Sequence, residues 1–215
     1  MLALVSGGGG NLQALIDAER AGRFAPPGVP AYGRIAAVIS DRAAVFALQR
    51  ARAAGIPALV EAPDKKLPLP ARRRELSDRI LGIARNYGAG LIVLAGFLSI
   101  LAGAILAEYE GRIINLHPAL LPRYGGAGMY GDKVHAAVLA AGESESGCTV
   151  HLVDAGTDTG PVLLQRRVGV QAGDTVETLA ERIHHEEHIA IVEAAALMIQ
   201  RLSTRGNAWA EKNAR

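Results

Sequence analysis

Leu2-Ala3-Leu4-Val5-Ser6-Gly7-Gly8-Gly9-Gly10-Asn11-Leu12 opens the chain with a short apolar run, a loop almost free of side chains and the start of a helical pattern. A strand that enters a helix through such a loop leaves backbone N–H groups and the positive helix end exposed, a natural seat for a phosphate. Outward from this junction, short apolar runs bounded by glycine or proline alternate with helical periodicity. That alternation predicts an α/β fold, a doubly wound, mostly parallel sheet of Rossmann-like design with helices on both faces.

Strands are expected at 2–5, 35–39, 58–60, 91–95, 113–116, 149–153 and 162–168, and helices near 12–21, 43–54, 73–87, 100–109, 134–141 and 176–202. No composition break or fixed-period repeat divides the chain, so one domain over 1–204 with a polar tail at 205–215 is expected. In such a sheet the ligand crevice lies beyond the carboxyl ends of the strands, where the strand order reverses. The distinctive polar clusters do follow strands: Ser6 to Asn11, Gly96 to Ser99, Asn115 to Pro118 and Asp154 to Gly160.

Composition narrows the function classes. Of 215 residues, 50% are hydrophobic, enough for a large core, while 4% aromatic content offers few platforms for stacked bases. A net charge of +2 with interspersed signs points to neither nucleic acid nor an anionic membrane. Lys65, Lys66, Arg72, Arg73 and Arg74 cluster around prolines, as a solvated edge or a binding edge for an anionic substrate. The single cysteine, Cys148, sits in an apolar run and reads as a small core residue. No apolar stretch reaches membrane-spanning length and no charged leader precedes the first strand, so a cytoplasmic protein acting on small molecules is expected, as a monomer or homodimer.

The glycine loop meets the dinucleotide fingerprint only in part. Gly7-x-Gly9 is present, but Leu12 stands at the third small position, and no Gly-Lys-Ser or Gly-Lys-Thr follows for a triphosphate loop. A monophosphate site fits better, and the plainer alternative is a tight turn capped by Asn11. Farther on, Ile113-Ile114-Asn115-Leu116-His117-Pro118 is a buried strand whose end carries two polar side chains at period two, so Asn115 and His117 share a face. A carboxamide and an imidazole side by side suit the oxyanion of an acyl transfer. Val153-Asp154-Ala155-Gly156-Thr157-Asp158-Thr159-Gly160-Pro161 is an acidic loop able to set a carboxylate beside that imidazole, although Asp154 and Asp158 also suit simple turns. No nucleophile elbow is present, so covalent catalysis is not expected. His184-His185-Glu186-Glu187-His188 formally matches a zinc motif, without an identifiable third ligand; the alternative has Glu187 facing the crevice to bind a substrate amine or hydroxyls.

Together, Ser6-Gly7-x-Gly9-x-Asn11-Leu12, Val93-Leu94-Ala95-Gly96-Phe97, Asn115-Leu116-His117-Pro118-Ala119-Leu120-Leu121-Pro122 and Asp158-Thr159-Gly160-Pro161 resemble the phosphoribosylglycinamide formyltransferases, a folate-dependent family, over roughly 1–195. The resemblance implies that Gly9, Gly10 and Asn11 hold the ribonucleotide phosphate and that Asn115, His117 and Asp158 are catalytic. It implies a folate wall at Phe97, Leu98, Ser99, Ile100 and Leu101, with Arg73 as a basic neighbour, and Glu187 at the glycinamide and ribose end. The cosubstrate would be 10-formyltetrahydrofolate, with no metal. Three departures stand out: Ser99 where many members carry arginine, Gly8 for a frequent asparagine, and Arg123-Tyr124-Gly125-Gly126 in the flexible loop. Two other readings are a formyltetrahydrofolate deformylase, for which an added N-terminal domain would be expected, and a non-catalytic nucleotide-binding module. A methionyl-tRNA formyltransferase would be expected to carry a further RNA-binding domain.

Overall fold

A computed structural model describes residues 1–25 and 33–213, with side chains described up to residue 204. The strands are β1 (Leu2–Val5), β2 (Ala37–Ser40), β3 (Ala58–Val60), β4 (Ile92–Leu94), β5 (Ile113–His117), β6 (Glu145–Leu152) and β7 (Val162–Gly169). They alternate with α1 (Gly10–Arg20), α2 (Phe46–Ala53), α3 (Leu69–Asn86), α4 (Ala104–Glu108), α5 (Asp132–Ala140) and α6 (Val176–Asn213). The expected polar tail at 205–215 falls where side chains are not described.

The sheet order is β3-β2-β1-β4-β5-β6-β7. From β3 to β5 all pairs are parallel, whereas β6 runs antiparallel to both of its neighbours. Successive strands depart from β1 on opposite sides, so the order reverses between β1 and β4, and the crevice is expected there.

Side-chain parity explains why both faces are covered. Ala3 and Val5 of β1 point into a cluster with Leu12 and Leu15 of α1, Ala47 of α2 and Ile183 of α6. Leu2 and Leu4 point the other way, against Leu76 and Ile80 of α3 and Ile105 of α4. All four β1 residues are fully buried, so a short uninterrupted apolar run suffices for a central parallel strand. Truncating such a residue, as in Leu4→Ala, costs about 2–5 kcal/mol.

Three boundaries differ from expectation for identifiable reasons. Helix α3 begins at Leu69 rather than 73, because Pro70 occupies the first turn, where its missing N–H would have had no partner. Helix α4 begins only at Ala104, because Gly103 holds φ at 79°, and 100–101 stay in a loop. Strand β6 starts at Glu145, four residues early; it lies between two strands and pairs with β7 through its polar beginning.

Candidate active site

At the reversal the ends of β1 and β4 are tied together. The Ser6 N–H donates to the Gly96 carbonyl at 3.0 Å, and the Ser6 hydroxyl accepts the Leu98 N–H at 2.8 Å. These bonds hang the segment 97–101 over the carboxyl end of the sheet, beside a cavity of about 470 Å³. Phe97, Leu98, Ser99, Ile100 and Leu101 all line it, as do Asn11, Asn115, His117, Asp158 and Glu187. Ser99 is already engaged, donating to Asp41 Oδ2 at 2.7 Å.

Asn115 and His117 reach the cavity from β5. In register across the sheet, Asn115 pairs with His151 and His117 with Thr149 of β6. The Asn115 Nδ2 group lies 3.1 Å from His151 Nε2 and 3.3 Å from Asp158 Oδ1. His151 Nδ1 stands 2.8 Å from the Leu152 carbonyl, which only accepts, so Nδ1 donates there, while Nε2 faces both Asn115 Nδ2 and, at 3.5 Å, Asp158 Oδ1. By the same logic His117 Nε2 donates to the Tyr124 carbonyl at 2.7 Å, and its Nδ1 faces Asp158 Oδ2 at 3.5 Å.

Asp154 and Asp158 divide the two roles their loop allows. Asp154 is a turn residue, its Oδ1 accepting from the Gly156 N–H and the Thr159 hydroxyl at 2.9 and 2.7 Å. Asp158 occupies the left-handed region at φ 58° and turns its carboxylate inward, where the Gly126 N–H donates to Oδ2 at 2.9 Å. Burial by itself would raise the Asp158 carboxyl, but the hydrogen bonds from His151 and Gly126 and the nearby His117 ring bring it below the usual carboxylate value. Burial dominates at His117 and lowers its proton affinity, against the upward pull of Asp158 and the Tyr124 carbonyl. An ionised carboxylate thus faces a mostly neutral imidazole that gains a stabilising partner whenever Nδ1 takes up a proton.

The glycine loop forms the exposed rim. Gly9, at φ 76°, caps α1, so Asn11 is not the cap; it sits in the first turn with its Nδ2 3.3 Å from Glu187 Oε2. Helix α2 braces the loop from behind: the Ala47 N–H donates to the Gly7 carbonyl at 3.1 Å, and Arg50 Nε to the Gly8 carbonyl at 3.0 Å. The first-turn N–H groups of α1 have no intrahelical acceptor and point outward. Glu187 is buried on α6, and that burial raises its carboxyl affinity for protons against the opposing effects of His184 and Asn11.

The cavity thus gathers Asn115, His117 and Asp158 with Asn11, the segment 97–101 and Glu187. Gly9 and Gly10 lie outside its lining, and so does Arg73, whose carbonyl accepts from Ser77 Oγ at 2.7 Å. Among the described residues no group of three or more His, Cys, Asp or Glu side chains is placed to hold a metal, and no helix is long and apolar enough to cross a membrane. Sequence reasoning missed His151, His135 and the backbone of Tyr124 and Gly126, and singled out His184 only as part of a zinc motif. Only His151 had a signal, as the polar position alternating with apolar ones in Val150-His151-Leu152.

Residues 1–195 match the family described as formyl transferase. The chain is 38% identical over 189 residues to the phosphoribosylglycinamide formyltransferase of Escherichia coli (strain K12), covering 87% of this chain and 81% of that protein. It is 46% identical over 199 residues to the trifunctional purine biosynthetic protein adenosine-3 of Drosophila pseudoobscura pseudoobscura, covering 91% of this chain and spanning only 13% of that longer protein. The crystal structure of glycinamide ribonucleotide transformylase 1 from Symbiobacterium toebii superimposes with a TM-score of 0.80 at 41% identity, covering 93% of this chain and 86% of that one.

Proposed function

The chain belongs to the formyl transferase family, and from that premise we propose that it transfers the formyl group of 10-formyltetrahydrofolate to the amine of 5-phosphoribosylglycinamide in purine biosynthesis. The observation that carries this reading is the meeting of Asn115, His117 and Asp158 in one cavity whose far wall is Asn11, the first side chain beyond the glycine loop. Phosphate at the loop and reaction at the trio give a phosphorylated acceptor a fixed orientation.

The residues divide the work. First-turn amides from Gly10 to Leu12, at the positive end of α1, hold the phosphate without needing several cations. The segment 97–101 supplies an apolar wall for the pterin, with Phe97 buried and Leu98 exposed. Attack of the neutral amine on the formyl carbon puts negative charge on its oxygen, and the Asn115 amide and His117 ring are the donors within reach. Each must exchange a present partner for that oxygen: Asn115 gives up Asp158 or His151, and His117 gives up the Tyr124 carbonyl. Asp158, ionised and half-buried, accepts the proton lost by the attacking nitrogen, directly or through a water, and returns it to the departing folate nitrogen. Holding both substrates in one enclosed site supplies much of the acceleration.

This activity needs no metal, acts on small molecules alone as a monomer or homodimer, and suits the reducing cytoplasm in which a lone buried thiol such as Cys148 stays reduced. The deciding experiment follows tetrahydrofolate release from 10-formyltetrahydrofolate with and without phosphoribosylglycinamide. Release that depends on the acceptor supports the transferase. Equal release without it would make the protein a deformylase, and acceptor binding with no release would make it a passive nucleotide binder.

A further inference from the structure

A line of polar side chains crosses the cavity between the glycine loop and the catalytic trio. Asn11 Nδ2 donates to Glu187 Oε2 at 3.3 Å, and Glu187 Oε2 lies 3.9 Å from His184 Nε2. The His184 ring meets the His135 ring edge-on, with centroids 6.3 Å apart and planes at 86°. His135 in turn lies within electrostatic range of His117. The order of these groups parallels the order of the acceptor's parts: phosphate, ribose, amide linkage, amine.

His135 is the unusual member. It sits on α5 in the cavity wall with 1% of its surface exposed, and its Nδ1 is buried with no hydrogen-bond partner among the described residues. Burial, reinforced by the charges of His184 and His117 and opposed by Asp132, lowers its proton affinity, so the ring is neutral. An enclosed lone pair is tolerated better than an enclosed unpaired N–H, which puts the single proton on Nε2. The ring is therefore a fixed hydrogen-bond donor that none of the described residues consumes.

Taking phosphoribosylglycinamide as the acceptor, we propose that His135 is a substrate-recognition residue whose Nε2–H donates to the carbonyl oxygen of the glycinamide amide. It reads the segment between the ribose end, at Glu187, and the reacting amine, at the trio. It takes no part in proton transfer.

The test uses the full chain. His135→Leu, which removes the donor, is expected to raise KM for phosphoribosylglycinamide roughly tenfold, the worth of one hydrogen bond, while KM for 10-formyltetrahydrofolate stays unchanged. His135→Gln, which restores an N–H at similar reach, is expected to recover most of the loss. An unchanged KM in the leucine variant overturns the proposal, as does an equal loss for both substrates without recovery by glutamine. A measurement on the unaltered protein guards against misfolded variants. With 15N-labelled histidine, the His135 ring resonance is expected to shift on adding phosphoribosylglycinamide and not on adding ribose 5-phosphate. A shift with both would assign the contact to the sugar, and no shift with either would remove the contact; each outcome overturns the assignment. Absence of formyl transfer by the unaltered protein would instead defeat the parent reading, since the titration depends on binding alone.

Discussion

His117 and Asp158 come to face each other, Nδ1 to Oδ2 at 3.5 Å, although 40 residues of chain and an antiparallel turn of the sheet separate them. Asp158 achieves this with a left-handed backbone at φ 58°, a conformation that aspartate tolerates better than most residues. The strain is held by what surrounds it: the Gly126 N–H and the Asn115 amide both fasten the carboxylate.

His117→Ala or Asp158→Asn should therefore lower kcat by roughly a hundredfold or more, with KM for the ribonucleotide nearly intact. Steady-state kinetics in both substrates checks this. Near-wild-type turnover in either variant would remove that residue from the chemistry.

At the rim, a Cβ on Gly9 would stand 2.7 Å from the Ala47 side chain, and φ is 76°, so Gly9→Val must displace the loop from α2. The expected result is a ribonucleotide KM raised by about tenfold or more, with folate KM little changed. If the substitution lowers the melting temperature yet leaves that KM where it was, the loop is a structural turn only.

Glu187 gives a pH-dependent stability with a definite sign. Its folded-state proton affinity is raised, chiefly by burial, so the favourable contribution is complete below the ordinary glutamate value of 4.5 and is lost as pH rises through the folded value. Glu187→Gln keeps an acceptor for Asn11 and removes the ionisation. Its melting temperature relative to the wild type should climb between pH 4 and pH 8, as calorimetry at several pH values would register; a flat difference would mean that the carboxyl ionises at no cost.

The Cys148 thiol is fully buried, and burial pushes its pKa up to about 12. Native protein should resist a thiol-specific disulfide reagent for hours, then release one equivalent per chain on denaturation. Rapid reaction of the folded protein would contradict this packing.

Much of the fold was legible because parallel strands and their helices write short-range patterns. Leu2–Val5 is an apolar run of the right length, Ile113–His117 alternates apolar and polar positions toward its end, and the meeting of Asn115, His117 and Asp158 follows from side-chain parity on β5 plus an acidic loop. What escaped notice depends on register and tertiary placement. His151 matters because β6 pairs antiparallel with β5 and sets it opposite Asn115, which nothing local encodes. His135 and His184 sit on separate helices and meet only once α5 packs on α6. Tyr124 and Gly126 contribute backbone atoms, which side-chain identity does not announce. Asn11, read as a possible cap, is turned from that role by Gly9 and bonds Glu187 instead.

One turn grips two side chains of the cavity: the Tyr124 carbonyl accepts a hydrogen bond from His117 Nε2, and two residues later the Gly126 N–H donates to the carboxylate of Asp158. Any displacement of 124–126 strips a partner from His117 and from Asp158 at once. An isotope-labelled Gly126 amide would therefore serve as a built-in gauge of how the Asp158 carboxylate is held.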